Sequence, residues 1–280
     1  MSLIKLNNGS VIPSIGLGTY NISSNVENLV YQALKKGYRH VDTAVLYGNE
    51  YEVGQGIDQW VQEGNSRDEV FYTTKLWSAQ SRGSRDHYTT TKKEIEDCLK
   101  SVKPLKYIDL LLIHSPLCGP ERRKLAWKAM EEAVEEGKVK NIGVSNYGEK
   151  HLKELFEYAK IKPVVNQIEI SPWLMREDLV KFCLDNDIAV EAYAPLTHGY
   201  KLSNPPSEVK VLMDKYQKDA AQILIKWSLQ KGLIPLPKTS TIGRLSGNLN
   251  VDFTLTDEEM KSLDHPDAYE PTDWECTDCP

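Results

Sequence analysis

A chain of 280 residues, 40% hydrophobic and 26% charged, has the composition of a folded protein with ample core, in one barrel or two ordinary domains. A net charge of -6 and a pI of about 5.6 exclude a global field that would gather nucleic acid or anionic membranes. The longest strongly apolar run, residues 110–113, is too short to span a bilayer, residues 1–5 lack a signal-peptide core, and five scattered cysteines indicate a reducing compartment, so a soluble, cytoplasmic protein is expected.

Taken in order, residues 4–6 and 11–12 flank Asn7-Asn8-Gly9-Ser10, a hairpin signal because Asn and Gly tolerate positive φ. Residues 15–19 read as a first strand. Ser24 with Glu27 has the spacing of a capping box for a helix whose stripe Val26, Leu29, Val30, Ala33 and Leu34 ends at Gly37. A strand follows at 38–42. Asn49 with Glu52 then marks a helix with Val53, Ile57, Trp60 and Val61 on one face. Further strands are expected at 70–76, 108–114, 139–145, 164–168, 188–193 and 233–237. Amphipathic stretches separate them, and the last such stretch covers 256–263.

About eight strands alternating with helices, several nearly all apolar, imply a parallel sheet buried on both faces. One α/β domain over residues 1–280, a (β/α)8 TIM barrel with an N-terminal β-hairpin, matches that count and the ~250 residues such a barrel needs. A doubly wound sheet would place a glycine-rich turn and a helix start after the first strand. Gly16-x-Gly18 has no third glycine and no such helix.

Four polar residues fall at or just beyond the carboxyl ends of three successive strands: Asp42, Tyr47, Lys75 and His114. Singly, each has an ordinary explanation: a turn cap, loop packing, a solvent-seeking lysine, a strand-end histidine. In a barrel those ends converge on one mouth, so together they read as a site. A free tyrosine, with a pKa of ~10, is a weak acid at neutral pH. A nearby Lys75 cation is expected to stabilise the phenolate and lower that pKa, and Asp42 to keep the lysine charged and oriented. His114 would orient a carbonyl oxygen. The set amounts to a general acid aimed at a carbonyl.

The stretch 37–54, which contains His40-Val41-Asp42-Thr43-Ala44-Val45-Leu46-Tyr47-Gly48, closely resembles the first signature of the aldo-keto reductases. Lys140-Asn141-Ile142-Gly143-Val144-Ser145-Asn146-Tyr147 resembles the second, and residues 236–247, beginning Leu236-Pro237-Lys238-Thr239, resemble the third. The resemblance runs from Gly16 to about Asn250, and in size the chain looks like the small fungal members. It implies an NADPH-dependent reductase of aldehydes or ketones with Asp42, Tyr47, Lys75 and His114 as the catalytic tetrad. It further implies that Ser145, Asn146 and Gln167 hold the nicotinamide carboxamide, that Tyr193 stacks on its ring, and that Leu196 and the loop 195–199 wrap the pyrophosphate. Lys238, Thr239 and Arg244 would take the adenosine 2′-phosphate and Asn248 the adenine. Cations beside hydroxyls suit a phosphate dianion, and barrels often bind phosphate near their last strands.

The chain departs from that pattern at four places. Ser115 and Tyr20 stand where Trp is common, Gly247 where an acid is usual and Ala194 where a serine is usual. Ser115 is expected to open the substrate pocket, whose other walls would be Tyr20, Trp77 and, from a C-terminal tail laid over the barrel mouth, Trp274. Small carbonyl compounds are the expected partners of a monomer or weak oligomer, with no nucleic acid, membrane or metal. Cys276-x-x-Cys279 lacks the further ligands of a zinc site and reads as an incidental thiol pair. Two rivals use the same barrel: a Schiff-base aldolase with Lys75 as nucleophile, and a non-catalytic cofactor-binding subunit.

Overall fold

The computed structural model describes residues 2–77 and 86–280, with every side chain among them except that of Lys103. Strands β1 (Leu3–Lys5) and β2 (Val11–Pro13) form the antiparallel hairpin, Ile4 opposite Ile12. The hairpin stops one end of the barrel. Leu6 and Ile12 join Phe71, Leu110, Val165 and Ile234 in one apolar cluster, and Asn7 donates to the Pro163 carbonyl at 2.9 Å.

Among the described residues eight parallel strands follow: β3 (Leu17–Gly18), β4 (His40–Asp42), β5 (Phe71–Leu76), β6 (Ile108–Ile113), β7 (Val139–Ser145), β8 (Val165–Glu169), β9 (Ala189–Tyr193) and β10 (Ile234–Pro235). Each pairs with the next in chain order. Two further hydrogen bonds join the last strand to the first, Gly16 N–H to Pro235 at 3.0 Å and Gly18 N–H to Pro237 at 3.2 Å, and Gly18 bridges Lys238 in parallel. The sheet thus closes into the expected barrel. The first seam strand carries glycine for a steric reason: a Cβ on Gly18 would stand 3.0 Å from the Leu236 carbonyl oxygen. Gly16-x-Gly18 is therefore a closure device, not a phosphate turn.

Helices α1 (Val26–Lys35), α2 (Glu50–Gln62), α3 (His87–Ser101), α4 (Pro120–Glu135), α5 (Glu149–Tyr158) and α6 (Glu177–Asp185) alternate with the strands. Two helices, α7 (Ser207–Tyr216) and α8 (Ala220–Gln230), separate β9 from β10, and α9 (Ile242–Leu249) and α10 (Asp257–Leu263) follow. Their inner faces pack on the outer face of the barrel in one large apolar core that includes Leu29, Val53, Ile57, Trp127 and Trp227.

Two helix starts differ from expectation. The chain passes through a left-handed Asn25 (φ 58°) before α1, so Ser24 and Glu27 form no box. Asn49 does stand at the N-cap of α2, but its side chain caps nothing. It accepts from the Thr43 hydroxyl at 2.6 Å and donates to the Thr19 carbonyl at 3.0 Å, tying the loops after β3 and β4. Boxes do form at Asp219–Gln222 and Thr256–Glu259.

Barrel packing is tight at Gly143 of β7, where an added Cβ would lie 2.6 Å from the Val165 carbonyl oxygen and 2.8 Å from Leu112 Cδ2. Backbone cannot retreat as a side chain can, so Gly143→Ala is expected to lower the unfolding free energy by about 1–3 kcal/mol in urea titrations.

Candidate active site

Parallel pairing of the adjacent strands β4, β5 and β6 brings the four groups together. Asp42 ends β4, Tyr47 closes a 3-10 turn at Val45–Tyr47, Lys75 lies on β5, and His114 follows β6. Lys75 is fully buried, and its ammonium donates to Asp42 Oδ1 at 2.7 Å, the Thr43 carbonyl at 2.9 Å and the Tyr47 hydroxyl at 3.2 Å. Three protons thus meet three acceptors, which a desolvated ammonium requires. The His114 ring stands edge-on to Tyr47 at 5.7 Å.

Burial works against the charge on Lys75, but Asp42 and Tyr47 outweigh it and hold the lysine above its ordinary range. Burial raises Asp42 as well, while Lys75 and Gln167 pull it back. For Tyr47 the expected lowering does not occur. Burial dominates and pushes the phenol up to about 12, with Lys75 only partly compensating. Tyr47 therefore keeps its proton throughout the neutral range. Burial, with Lys75 nearby, holds His114 well below ordinary histidine, so its imidazole is neutral.

Beneath the four lies a set of buried polar groups that the periodicity did not single out. Gln167 on β8 reaches across the barrel interior, its amide nitrogen donating to Asp42 Oδ2 at 2.9 Å and to Glu191 Oε2 at 2.7 Å. Glu191 on β9 has no solvent exposure, and burial followed by the Asp42 charge raises its pKa to about 8. His40 stands 3.5 Å from its other oxygen and is driven down to about 3, chiefly by burial. One ion pair and two neutral titratable groups share the barrel axis. The available signal was an acid and a histidine inside apolar strand runs.

A cavity of about 840 Å³ opens above this floor. Asp42, Tyr47, His114, Ser145, Asn146 and Gln167 line its deep part. Asn146, itself at φ 61°, donates to the His114 carbonyl at 3.1 Å and accepts from the Tyr193 hydroxyl at 2.9 Å, which fixes Tyr193 as a wall. Ser145 donates to the Gln167 carbonyl at 2.9 Å. The cavity continues past Pro195, Leu196 and Gly199 to Lys238, Thr239 and Arg244. Thr239 Oγ1 accepts the Thr241 N–H at 3.1 Å, and both cations are exposed. Asn248 shares the inner face of α9 with Leu245, is buried, and lies beside the Tyr38 hydroxyl, which donates to the Leu245 carbonyl at 3.4 Å, away from the cavity lining.

The other end of the cavity is aromatic. The tail crosses the mouth, and Trp274 stacks on Trp77 with centroids 5.7 Å apart and meets His114 edge-on at 5.9 Å. Tyr20 packs 5.1 Å from Tyr47. Ser115 differs from expectation: it is fully buried, its hydroxyl accepts from the Leu117 N–H at 3.4 Å, and it does not line the cavity. What holds the tail is Glu169, a buried carboxylate at the end of β8 that accepts from the Thr272 N–H at 2.7 Å, the Thr272 hydroxyl and the Asp273 N–H at 3.2 Å. Arg176 pairs with Glu275, and Gly148 leaves the room through which Thr277 passes. His198, from the loop after β9, faces Asp273 at 3.6 Å and joins that loop to the tail. Cys276 is buried and Cys279 lies against His151, Sγ to Nε2 3.8 Å.

Residues 14–268 match the model of the Aldo/keto reductase family. An oxidoreductase of Saccharomyces cerevisiae is 56% identical over 283 residues, covering 99% of this chain and 98% of the relative. Glyoxal reductase of Bacillus subtilis is 38% identical, covering 93% and 91%. The aldo-keto reductase of Bombyx mori, solved in complex with NADP, superposes with a TM-score of 0.83 at 34% identity, covering 94% of this chain and 91% of that one.

Breaking one side of the buried pair isolates its contribution. Asp42→Ala leaves the Lys75 ammonium buried without its counter-ion and is expected to lower stability by about 3–5 kcal/mol in chemical unfolding at neutral pH. A loss under about 1 kcal/mol would mean that Lys75 is not held as a cation.

Proposed function

The chain belongs to the aldo/keto reductase family, and from that premise we propose that it reduces aldehydes and ketones to alcohols with NADPH, using Tyr47 as general acid. The observation that carries this reading is the contact of Lys75 with Asp42, Thr43 and Tyr47 on the floor of a cavity that runs on to Lys238 and Arg244.

The donor set fits a phosphorylated dinucleotide. Gln167 spends its amide nitrogen on Asp42 and Glu191, which leaves its carbonyl oxygen as an acceptor on the cavity wall. Ser145 and Asn146 would complete a carboxamide site, and the Tyr193 ring would take the face of an aromatic ring. Leu196 and its loop would lie along the pyrophosphate, and Lys238, Thr239 and Arg244 would meet the 2′-phosphate. When bound, NADPH supplies the hydride that goes to the carbonyl carbon.

The chain's own residues manage the oxygen. Neutral His114 offers an N–H that orients the carbonyl and stabilises its developing charge. Tyr47, protonated at neutral pH because burial holds its proton, gives that proton to the nascent alkoxide. Lys75, kept cationic by Asp42, then stabilises the phenolate left behind. The same commitment of all three ammonium protons disfavours the aldolase reading, which needs a neutral amine free to attack. Walls of Tyr20, Trp77 and Trp274 suit uncharged carbonyl compounds with apolar surface to desolvate. The glyoxal reductase among the relatives supports a carbonyl substrate.

Tyr47→Phe is expected to reduce turnover by ~10²–10⁴-fold while leaving NADPH affinity near wild type. NADPH oxidation followed by absorbance, alongside fluorescence titration, checks both halves, and near-wild-type turnover would sink the assignment. Arg244→Ala is expected to weaken NADPH binding by about one to two orders of magnitude and to spare NADH, since a charge-assisted contact is worth ~1.5–3 kcal/mol. Equal losses for the two cofactors in those titrations would remove Arg244 from the 2′-phosphate site.

A further inference from the structure

Glu191 lies outside the four-group site, yet its geometry is constrained by it. In register it sits beside Gln167, which in turn sits beside Ser145, so the three side chains occupy one level of the barrel. The Gln167 amide nitrogen lies between two carboxyl oxygens, 2.9 Å from Asp42 Oδ2 and 2.7 Å from Glu191 Oε2. Turning the amide over would set its carbonyl oxygen against both acceptors. Two carboxyl groups therefore fix the amide, and its oxygen is left for the cavity that Gln167 lines.

We infer that Glu191 is a positioning residue for the reductase reaction, orienting Gln167 so that one side chain both braces Asp42 and presents an acceptor to the nicotinamide carboxamide. The inference rests on the NADPH reductase reading given above. Asp42 alone would hold one amide proton and leave the other buried without a partner, a cost that rotation could relieve. Glu191 removes that freedom.

The role also requires Glu191 to stay protonated, with its proton on Oε1, the oxygen turned toward His40 Nε2 at 3.5 Å, so that Oε2 remains an acceptor for the Gln167 amide. Around Glu191 stand Asp42 and His40 from β4, Lys75 from β5 and Gln167 from β8. Lys75 is the single cation of that set, because His40 is held neutral. Its charge is already matched by Asp42. An ionised Glu191 would put a second negative charge on the barrel axis beneath Tyr47, opposing alkoxide formation. Burial and Asp42 keep it an acid up to about pH 8. Activity should therefore fall as pH rises through that value.

Glu191→Gln and Glu191→Leu, compared with wild type, test the assignment. A glutamine carbonyl still accepts from Gln167 but cannot ionise. Glu191→Gln is expected to bind NADP+ within about threefold of wild type and to lose the fall in kcat/KM around pH 8. Glu191→Leu removes the acceptor and is expected to weaken NADP+ binding by about tenfold, the size of one hydrogen bond of ~1–1.5 kcal/mol. Wild-type NADP+ affinity in Glu191→Leu, or an unchanged alkaline fall in Glu191→Gln, would overturn the inference. Should Glu191→Leu fail to fold, the pH profile of Glu191→Gln decides. The side-chain amide resonances of Gln167, identified by their loss in Gln167→Leu, provide a readout without turnover. Slow exchange of both protons in wild type and fast exchange of one in Glu191→Leu support the orientation, and equal protection in the two contradicts it. Protected amide protons in a wild type that does not oxidise NADPH with any carbonyl compound would leave the orientation standing and refute the reductase reading instead.

Discussion

A lysine ammonium can be enclosed in protein only if each of its protons finds an acceptor, and the site is built around Lys75 meeting that condition. Its acceptors come from the end of β4, the backbone just after it and the turn that carries Tyr47. They converge because β4 and β5 pair in parallel with Asp42 beside Thr73, which puts Lys75 two residues further toward the mouth. Closure of the barrel then brings Gln167 of β8 across the interior to the other Asp42 oxygen.

Charge balance along the barrel axis follows from the same enclosure. Burial raises the carboxyl groups and the phenol and lowers the histidines, so each group is pushed toward its neutral form unless a partner resists. Only Asp42 and Lys75 resist together. Tyr47, His114, His40 and Glu191 stay neutral near pH 7. A proton donor and a neutral hydrogen-bond donor beside one cation is the distribution that a developing alkoxide needs. Burial of the phenol, which looks adverse if the lysine is expected to lower its pKa, keeps the acid loaded.

The tail is coupled to this site by backbone and side chain together. Glu169 ends β8 two residues beyond Gln167, and it holds Thr272 and Asp273 by three hydrogen bonds. Trp274, the next residue, then covers Trp77 and His114. One strand therefore supplies both a brace for Asp42 and the anchor of the aromatic cover. His198 adds a link from the loop after β9 to Asp273, so the aromatic end of the cavity and the end that runs to Lys238 and Arg244 share an edge.

Local order was legible in the sequence because it depends on short spacings. Strand and helix alternation, the hairpin at Asn7-Asn8-Gly9-Ser10, the stop at Gly37 and the last amphipathic stretch over 256–263 follow from periodicity and turn chemistry within a few residues. The identities at strand ends also marked Asp42, Tyr47, Lys75 and His114 as one group. Contacts between distant segments were not legible in that way. Asn49 has the spacing of a cap and spends its side chain on Thr43 and Thr19 instead, since those loops arrive beside it only in the folded barrel. Ser115 turns inward, and Asn248 turns to Tyr38, because helix and loop orientation decides which face meets the cavity. Glu169 and Glu191 lie in fully buried stretches of β8 and β9, where spacing cannot tell a buried acid with partners from one without. The sequence by itself determined which chemistry was available and on which strands. The tertiary structure decided which groups are charged and which way they point, because pKa and hydrogen-bond direction depend on desolvation and on neighbours brought from more than a hundred residues away, as Gln167 is to Asp42.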